Sequence, residues 1–349
     1  MKSQLRKINT ILKDPSPKKS FFQIVKEVFT LSLKYKRLPN YYVQKFMYRK
    51  DSGDYRDYLT PNETAIVRFS PKFHRIEYLT LLKNKLASAL YFEQCKLPIP
   101  MLTGYNVNNL FFADGNKIKI ESESVLIDFF YQIMKKTGKK SLFLKDIAES
   151  GGVGCFLITE ETLESTVKKI MPYLLSGSFI HQETIKQHHD ISRIYASSLN
   201  TLRFETFIDW QGKHHIVCVY MRFGMNGNFV DNAFSGGMYI SINPENGRFH
   251  EKGYQKFKGS SGGKCFQAHP DTDFIFKDYP VPYFKEACDL VRLCLKFVPD
   301  RYLGWDIAIS ENGPILIEGN GSPFLAEAPY GGYRNHKLAR EILTELNLQ

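Results

Sequence analysis

No stretch of this 349-residue chain approaches the roughly 18 to 20 uninterrupted apolar residues that a membrane-spanning helix needs. Its first 20 residues, MKSQLRKINTILKDPSPKKS, also lack the apolar core of a secretion signal. Together these absences lead to the expectation of a cytoplasmic protein. The six cysteines, at 95, 155, 218, 265, 288 and 294, form no CxxC pair and no cysteine/histidine cluster with zinc spacing. A disulfide framework and a zinc finger are therefore not expected, and reduced packing thiols account for them. There is no internal repeat, no low-complexity tract, and no Ser/His/Asp or Cys/His arrangement that argues for a covalent nucleophile. Acidic residues are scarce at one end. The first 50 residues hold only Asp14 and Glu27 against 13 Lys/Arg, so this segment carries the whole net charge of +11. A basic segment of this kind attracts any polyanion, and two readings stay open. It is either a solvated, partly helical surface or a means of docking to an anionic membrane surface or to polysaccharide machinery. In the second case the protein sits peripherally at the inner face of the membrane. Nucleic acid is not the expected partner.

Against these absences stand 43% hydrophobic and 14% aromatic residues, enough to offset chain entropy and rule out disorder as the main state. The length predicts two or three packed units. Residues 1–20 look loose, and 21–37 and 40–50 carry helical apolar spacing interrupted at Pro39. A helical stretch from Pro71 to Cys95 ends at the KLPIPM turn, and 123–137 reads as an amphipathic helix. SLFLK (141–145), the glycine-rich ESGGVG turn, CFLI, a helix over TEETLESTVKKIMPYLL and SFIHQ then give strand, loop, strand, helix, strand, an order suited to gripping a nucleotide. TLRFETFIDW, HHIVCVYMRF and GGMYISI read as an antiparallel meander. A glycine- and lysine-rich loop over 251–272, a helix over 283–298, two strands (GWDIAIS and PILIEGN) and a helix near 335–347 complete the chain.

The informative segment is GWDIAISENGPILIEGNGSP. Asp306, Glu318 and Asn320 are polar groups among apolar strand residues, which costs free energy unless something compensates. Oxygen-only ligation would suit Mg²⁺; the alternative is a hairpin whose polar residues face water. Register decides between them. A two-residue NG turn pairs Asp306 with Gly319 and sends Glu318 to the far side, whereas a three-residue ENG loop pairs 306 with 318. An odd-length loop or a compensating bulge is the expectation. Upstream, Lys145 ends a strand before Gly151, Gly152 and Gly154, whose missing Cβ atoms let backbone N–H groups close over phosphates. GSSGGKC (259–265) is one residue short of a Walker A loop, and ESGGVG does not spell GxGxxG, so neither a P-loop nor a Rossmann reading follows.

In this order the motifs resemble the ATP-grasp superfamily, most closely its branch associated with sugar transfer and surface polysaccharide. The similarity runs from about residue 40 to the end. The NK pair before KLPIP is similar to the family's first lysine, Lys85, and Lys145 to its second. FIHQETI resembles the adenine-carrying hinge, with Gln182, Glu183 and Ile185, and Asp190 would be the ribose contact. SLNTLR matches the pattern holding Arg203. MRF, Asn232 and Gly236-Gly237 match the pattern of arginine, asparagine and paired glycines, seen also in ribosomal-protein glutamate ligases. Asp306, Gly313, Glu318 and Asn320 match the "D...G...E.N" metal signature. HPDTDF resembles the branch's "HP.tg" element, making His269 a candidate substrate contact beside Gly236 and Gly237. Two departures stand out: Asp146 follows the second lysine where proline is usual, and basic helices replace the superfamily's frequent N-terminal Rossmann-like domain.

The resemblance implies an α+β ATP-grasp fold, two lobes gripping ATP behind an N-terminal helical extension. The boundaries would be 1–75 for the basic extension, 76–180 for the first lobe and 181–349 for the second, which would hold the metal and substrate site. It further implies an ADP-forming carboxylate–amine ligase that works through an acyl phosphate with ATP and two Mg²⁺. The metals would lie on Asp306, Glu318 and Asn320, the phosphates on Lys85, Lys145, Gly151 and Gly152, and the reacting groups at Arg203, Arg222 and Asn232. The substrates would be a small or sugar-linked carboxylate and an amine. A kinase acting on a sugar-like hydroxyl, or a non-catalytic nucleotide-binding module at the membrane, are the alternatives.

Overall fold

The computed structural model describes residues 11–12, 14, 16–149, 154–231, 236–256, 263–323 and 332–348. Two antiparallel sheets organise them. The smaller has the order β3-β2-β1-β6-β4-β5, built from Leu102–Val107 (β1), Leu110–Ala113 (β2), Asn116–Lys119 (β3), Ser141–Asp146 (β4), Cys155–Thr159 (β5) and Ser178–Glu183 (β6). The larger has the order β11-β10-β9-β8-β7-β12-β13. It comprises Thr201–Ile208 (β7), His214–Phe223 (β8), Met238–Ile242 (β9), Phe249–Gln255 (β10), Cys265–Phe266 (β11), Tyr302–Ser310 (β12) and Gly313–Asn320 (β13).

The smaller sheet buries one face under two helices, Glu123–Thr137 and Leu163–Ser176. Leu126, Phe130 and Ile133 of the first, with Val167, Ile170 and Leu174 of the second, meet Leu142, Leu144 and Ile158. Both helices repeat apolar residues at three- and four-residue intervals, which is why the sequence pattern finds them. It finds β1, β2 and β3 poorly. They are short, and β3 is exposed at all four positions, so no alternation of burial marks it.

The larger sheet is covered on both faces, and β7, β9 and β12 are buried at every position. One face carries an apolar core of Phe204, Trp305 and Ile307 with Val291 and Leu295 from the helix Phe284–Phe297. Leu82 and Phe92 join the same core. Their helices, Ile76–Lys83 and Lys85–Gln94, are separated at Asn84, whose side chain caps the second by accepting from the Ala87 N–H at 3.0 Å. The helical stretch that the sequence assigns to the first lobe is thus built into the second sheet. The expected loop over 251–272 is also in part a strand, since β10 pairs Gly253 with Ile240 and Tyr254 with Tyr239.

The other face of the larger sheet receives the described part of the N-terminal segment. Of the stretch expected to be loose, residues 1–10, 13 and 15 lie outside the described residues, and Lys18 and Lys19 are tied to Arg49 and Tyr48. Leu31, Tyr42, Phe46 and Tyr48 pack on Cys218, Tyr220, Tyr239 and Tyr254. Two buried ion pairs lock it: Arg49 with Asp14 at 2.6 Å, and Lys19 with Glu27 at 3.1 Å. Asp14 also accepts from Tyr48 at 2.5 Å, and Glu27 from Tyr42 at 2.6 Å. Two of the basic residues are therefore paired inside the fold with the segment's two acidic ones, which leaves its excess of +11 unchanged.

The last hairpin turns on two residues, Glu311 and Asn312, with Ser310 facing Gly313. Gly313 takes φ +119°, which a side chain would strain. Left alone, this turn would put Ile317 opposite Asp306 and send Glu318 to the far side. A bulge at position 317 intervenes: Ile307 faces Leu316, and the next pair is Asp306 with Glu318. The compensating bulge, not an odd loop, sets the register.

In β6, His181 is wholly buried among Phe111, Phe129 and Phe130, with one ring nitrogen 3.0 Å from Asn106 Oδ1. Burial pulls its pKa down to about 3 from the usual 6.5. The unfolded chain takes up this proton below pH 6.5 while the folded chain refuses it, so stability is lost as the pH falls from 6.5 toward 3. His181→Gln removes that titration. Its unfolding free energy is expected to fall less steeply between pH 6.5 and 4.5, by up to about 1.4 kcal/mol per pH unit. Urea denaturation at stepped pH measures this, and parallel slopes for the two proteins would refute it.

Candidate active site

A cleft of about 430 Å³ opens between the two sheets. Lys145 of β4 and Cys155 of β5 form one wall, and Gln182 of β6 stands at the back. Arg222 of β8, Asp306 of β12 and Glu318 of β13 form the opposite wall.

At one end the two lysines converge on the glycine-rich turn. Lys85 opens its helix, and its ammonium donates to the Glu149 carbonyl and, at 3.0 Å, to the Asp146 carbonyl. Protein packed around the Lys145 ammonium pulls its pKa down, with Glu318 pulling it back up. Asp146, where the family usually has proline, folds the turn instead of disrupting it. Its Oδ1 accepts from the N–H groups of Ala148 (2.8 Å) and Glu149 (3.0 Å). Gly154 closes the turn at φ +67°, where a Cβ would come within 2.9 Å of the Asp146 side chain. Gly151 and Gly152 lie outside the described residues, as does Asn232.

At the hinge, Glu183 is occupied: its carboxylate accepts from the Met101 N–H at 3.0 Å and pairs with Lys139. Gln182 is different. It is buried, its amide nitrogen donates to the Pro100 carbonyl at 3.3 Å, and its Oε1 has no protein donor. A buried carbonyl without a donor costs about 1–3 kcal/mol, a cost that an adenine amino group in the cleft would relieve. Ile185 follows on the cleft wall.

The third constellation is the densest. Asp306 is 1% exposed and held between two guanidinium groups. Arg203 binds it through two nitrogens, one of them at 2.9 Å, and Arg222 donates at 2.7 Å. The arginines hold the Asp306 carboxyl far below the usual carboxylate range despite its burial. Glu318, directly opposite, is pushed up by burial and then by Asp306. Asn320 Nδ2 donates to Glu318 Oε1 at 3.2 Å, leaving its own carbonyl oxygen as a further donor atom. Two opposed carboxylates and a carboxamide oxygen are the hard-oxygen set that Mg²⁺ takes, and a divalent cation would relieve the repulsion the pair now carries. These residues fit the ion.

Arg222 is fixed from a side the sequence did not reveal. Asp231 Oδ2 lies 3.5 Å from its Nε and accepts from Thr201 N–H at 2.9 Å. Burial pushes the Asp231 carboxyl up, against the pull of Arg222. Asp231 belongs to an unpatterned loop, so no spacing marks it. Glu205 and Lys256 were missed as well. Burial raises Glu205 to about 7 and lowers Lys256 to about 7, and each charge favours the other's ionised form. The signal for Glu205 was present in TLRFETFI, where charge interrupts an otherwise apolar strand.

Six described candidates are not on the cleft wall: Arg203 and Asn320 stand behind it, bonded to Asp306 and Glu318, and four others lie apart. His269 is fully buried with both ring nitrogens engaged, one 3.0 Å from the Gly224 carbonyl and the other accepting from the Asp271 N–H, and it stacks on Tyr195. It anchors a loop and has no polar atom left for a substrate. Asp190 sits in the short helix His189–Ser192, where Arg193 and the two preceding histidines surround its carboxylate at 3.7–3.8 Å. Gly236 accepts from the Gln255 amide at 3.0 Å, and Gly237 follows it into β9.

Glu318→Gln keeps shape but removes one of the opposed charges. Without metal, its thermal midpoint is expected to equal or exceed that of the parent by a few degrees, because repulsion is relieved. The upward shift that MgCl₂ with ADP gives the parent is expected to disappear. Differential scanning fluorimetry reads both, and a lowered midpoint would show Glu318 to be structural.

No curated protein matches the chain. Among solved structures it is similar to D-alanyl-alanine synthetase A from Vibrio cholerae, at 12% identity and a TM-score of 0.47, over 78% of this chain and 66% of that one. It is also similar to a RimK domain ATP-grasp protein from Sphaerobacter thermophilus, at 10% identity and 0.42, over 77% and 70%. A third is N5-carboxyaminoimidazole synthase from Aspergillus clavatus in complex with ADP and 5-aminoimidazole ribonucleotide, at 10% and 0.44, over 78% and 53%. The chain spans less than two thirds of the first and third of these. The family model for sugar-transfer associated ATP-grasp matches residues 65–329, well over half of the chain and narrower at both ends than the motif resemblance. The two-sheet cleft with its lysine pair, hinge and paired carboxylates agrees with that match, and the chain belongs to the sugar-transfer associated ATP-grasp family.

Proposed function

We propose that the protein is an ATP-dependent carboxylate–amine ligase whose substrates are sugar-linked or nucleotide-sugar acids and amines of surface-polysaccharide biosynthesis. The observation that carries this reading is the buried Arg203–Asp306–Arg222 array facing Glu318 across the cleft from Lys145. ATP would lie with adenine at Gln182 and Ile185 and its phosphates between Lys85 and Lys145. Asp306, Glu318 and Asn320 would hold Mg²⁺, two ions in this reading, which would neutralise charge on the phosphates.

The chain's own residues then have separate tasks. Arg222 and Arg203, which now pair with Asp306, would bind oxyanions if Mg²⁺ shared that carboxylate, since a planar guanidinium takes such groups bidentately. Arg222, held at its far side by Asp231, would face the γ-phosphoryl group, and Arg203 the substrate carboxylate. A carboxylate oxygen attacks the γ-phosphorus, the bond to the β-phosphate oxygen breaks, and ADP leaves. An amine then attacks the acyl carbon of the resulting acyl phosphate. It loses a proton, and phosphate departs to leave an amide. Positioning and electrostatics supply most of the acceleration in such a transfer.

Carboxylates and amines, uronic acids and aminosugars included, are to be screened for Mg²⁺-dependent ADP release with mass detection of product. ADP is expected only when both components are present. Accumulation with a hydroxyl compound alone, yielding a phosphate ester, would replace this reading with the kinase. Arg222→Lys keeps charge but loses the bidentate fork, so kcat is expected to fall about 100-fold or more with an unchanged circular dichroism spectrum. A near-parental kcat would remove Arg222 from the machinery.

A further inference from the structure

The helix Phe21–Tyr35 is apolar on two faces. Ile24, Val28, Leu31 and Tyr35 turn inward to the cluster on the larger sheet. On the outer side Phe21 is 74% exposed, Phe22 84%, Val25 48%, Phe29 62% and Leu33 64%, and Leu38 just beyond the helix is 57% exposed. At about 100° per residue the five helical positions fall within one arc of about 120°. A solvent-facing helix surface is ordinarily polar, and contiguous apolar patches mark interaction sites.

Charge narrows the partner. Lys26, Lys34, Lys36 and Arg37 are all exposed beside this stripe. The two acidic residues of the first 50 are both buried in ion pairs, Asp14 with Arg49 and Glu27 with Lys19, so neither offsets those cations at the surface. A second copy of this surface would bring like charges together. An anionic lipid surface supplies both an apolar interior for the aromatic stripe and negative headgroups for its rim.

We propose that the helix Phe21–Tyr35 is an interfacial anchor that lies in the plane of an anionic phospholipid bilayer, with Phe21, Phe22, Val25, Phe29 and Leu33 inserted. It reaches below the headgroups by about 5–10 Å and does not cross the membrane. No described helix is long and apolar enough to cross one. The rest of the segment packs on Tyr220 and Tyr239, so the anchor is joined to the strand that carries Arg222 and to its neighbour β9.

The test is flotation of the full chain with vesicles of phosphatidylcholine containing about 30 mol% phosphatidylglycerol, and with pure phosphatidylcholine. The parent is expected to float with the anionic vesicles. In 1 M salt, where the Debye length shrinks to about 3 Å, binding should weaken without vanishing. F22D/F29D changes only outward side chains and is expected to lower the bound fraction at least tenfold at either salt. K34E/K36E/R37E is expected to act at low salt. Circular dichroism shows whether each variant folds, and Val25→Glu repeats the measurement if the double variant does not. Failure of the parent to float, or equal flotation of the folded aspartate variant, would overturn the proposal. So would a vesicle-free dimer that F22D/F29D dissolves while lipid binding is absent. None of these outcomes depends on the ligase reaction.

Discussion

A carboxylate with 1% of its surface exposed persists only if cations surround it, and Asp306 sits between Arg203 and Arg222. The rest of the molecule can be read outward from that contact. Arg203 comes from β7 and Arg222 from β8, so three neighbouring strands must hold their register for the array to form. The bulge at position 317 then brings Glu318, instead of Ile317, opposite Asp306. Gly304, beside Asp306 on β12, leaves room for the Arg203 stem, since a Cβ there would lie 3.3 Å from its Cδ. Glu318 opposes Asp306 across the strand pair, and bringing two carboxylates together has a cost that a divalent cation would offset. That cost is the physical reason for reading the site as one built for metal and phosphate.

The sheet that carries this array is unusual in having a charged face that is nonetheless covered. Thr201, Arg203 and Glu205 alternate along β7 with Leu202, Phe204 and Thr206, and both sets are buried. The apolar set meets the helices. The polar set lies under the N-terminal segment and beside the cleft, where Tyr220 and Tyr302 donate to Glu205 at 3.5 and 3.2 Å. A segment that composition alone marks as a basic tail is thereby a structural layer of the larger sheet. The family match begins at residue 65, so this layer lies almost wholly outside the region shared with the family. The layer also divides the labour of its charges: Lys19 and Arg49 pair inside it with Glu27 and Asp14, while Lys26, Lys34, Lys36 and Arg37 remain at the surface.

The sequence by itself determined the helices with three- and four-residue apolar spacing, the meander of β7, β8 and β9, and the two last strands, because periodic burial leaves a periodic pattern. It also determined which residues meet in the cleft where a motif fixes both type and spacing: Lys85, Lys145, Gln182, Arg222, Asp306 and Glu318. Tertiary structure decided what no local pattern encodes. The pairing of Asp306 with Glu318 depends on a bulge that balances a two-residue turn. Asp231 acquires its role only because a loop folds back on Arg222. His269, inside a motif, turns out to be a stacked anchor, and the helices at 76–94 join the sheet that follows them by more than a hundred residues. Helix 21–35 shows most directly why. Its sequence is apolar on two sides, and only packing chose which became core and which was left facing out, since side chains equal in hydrophobicity are distinguished by what the rest of the chain brings against them.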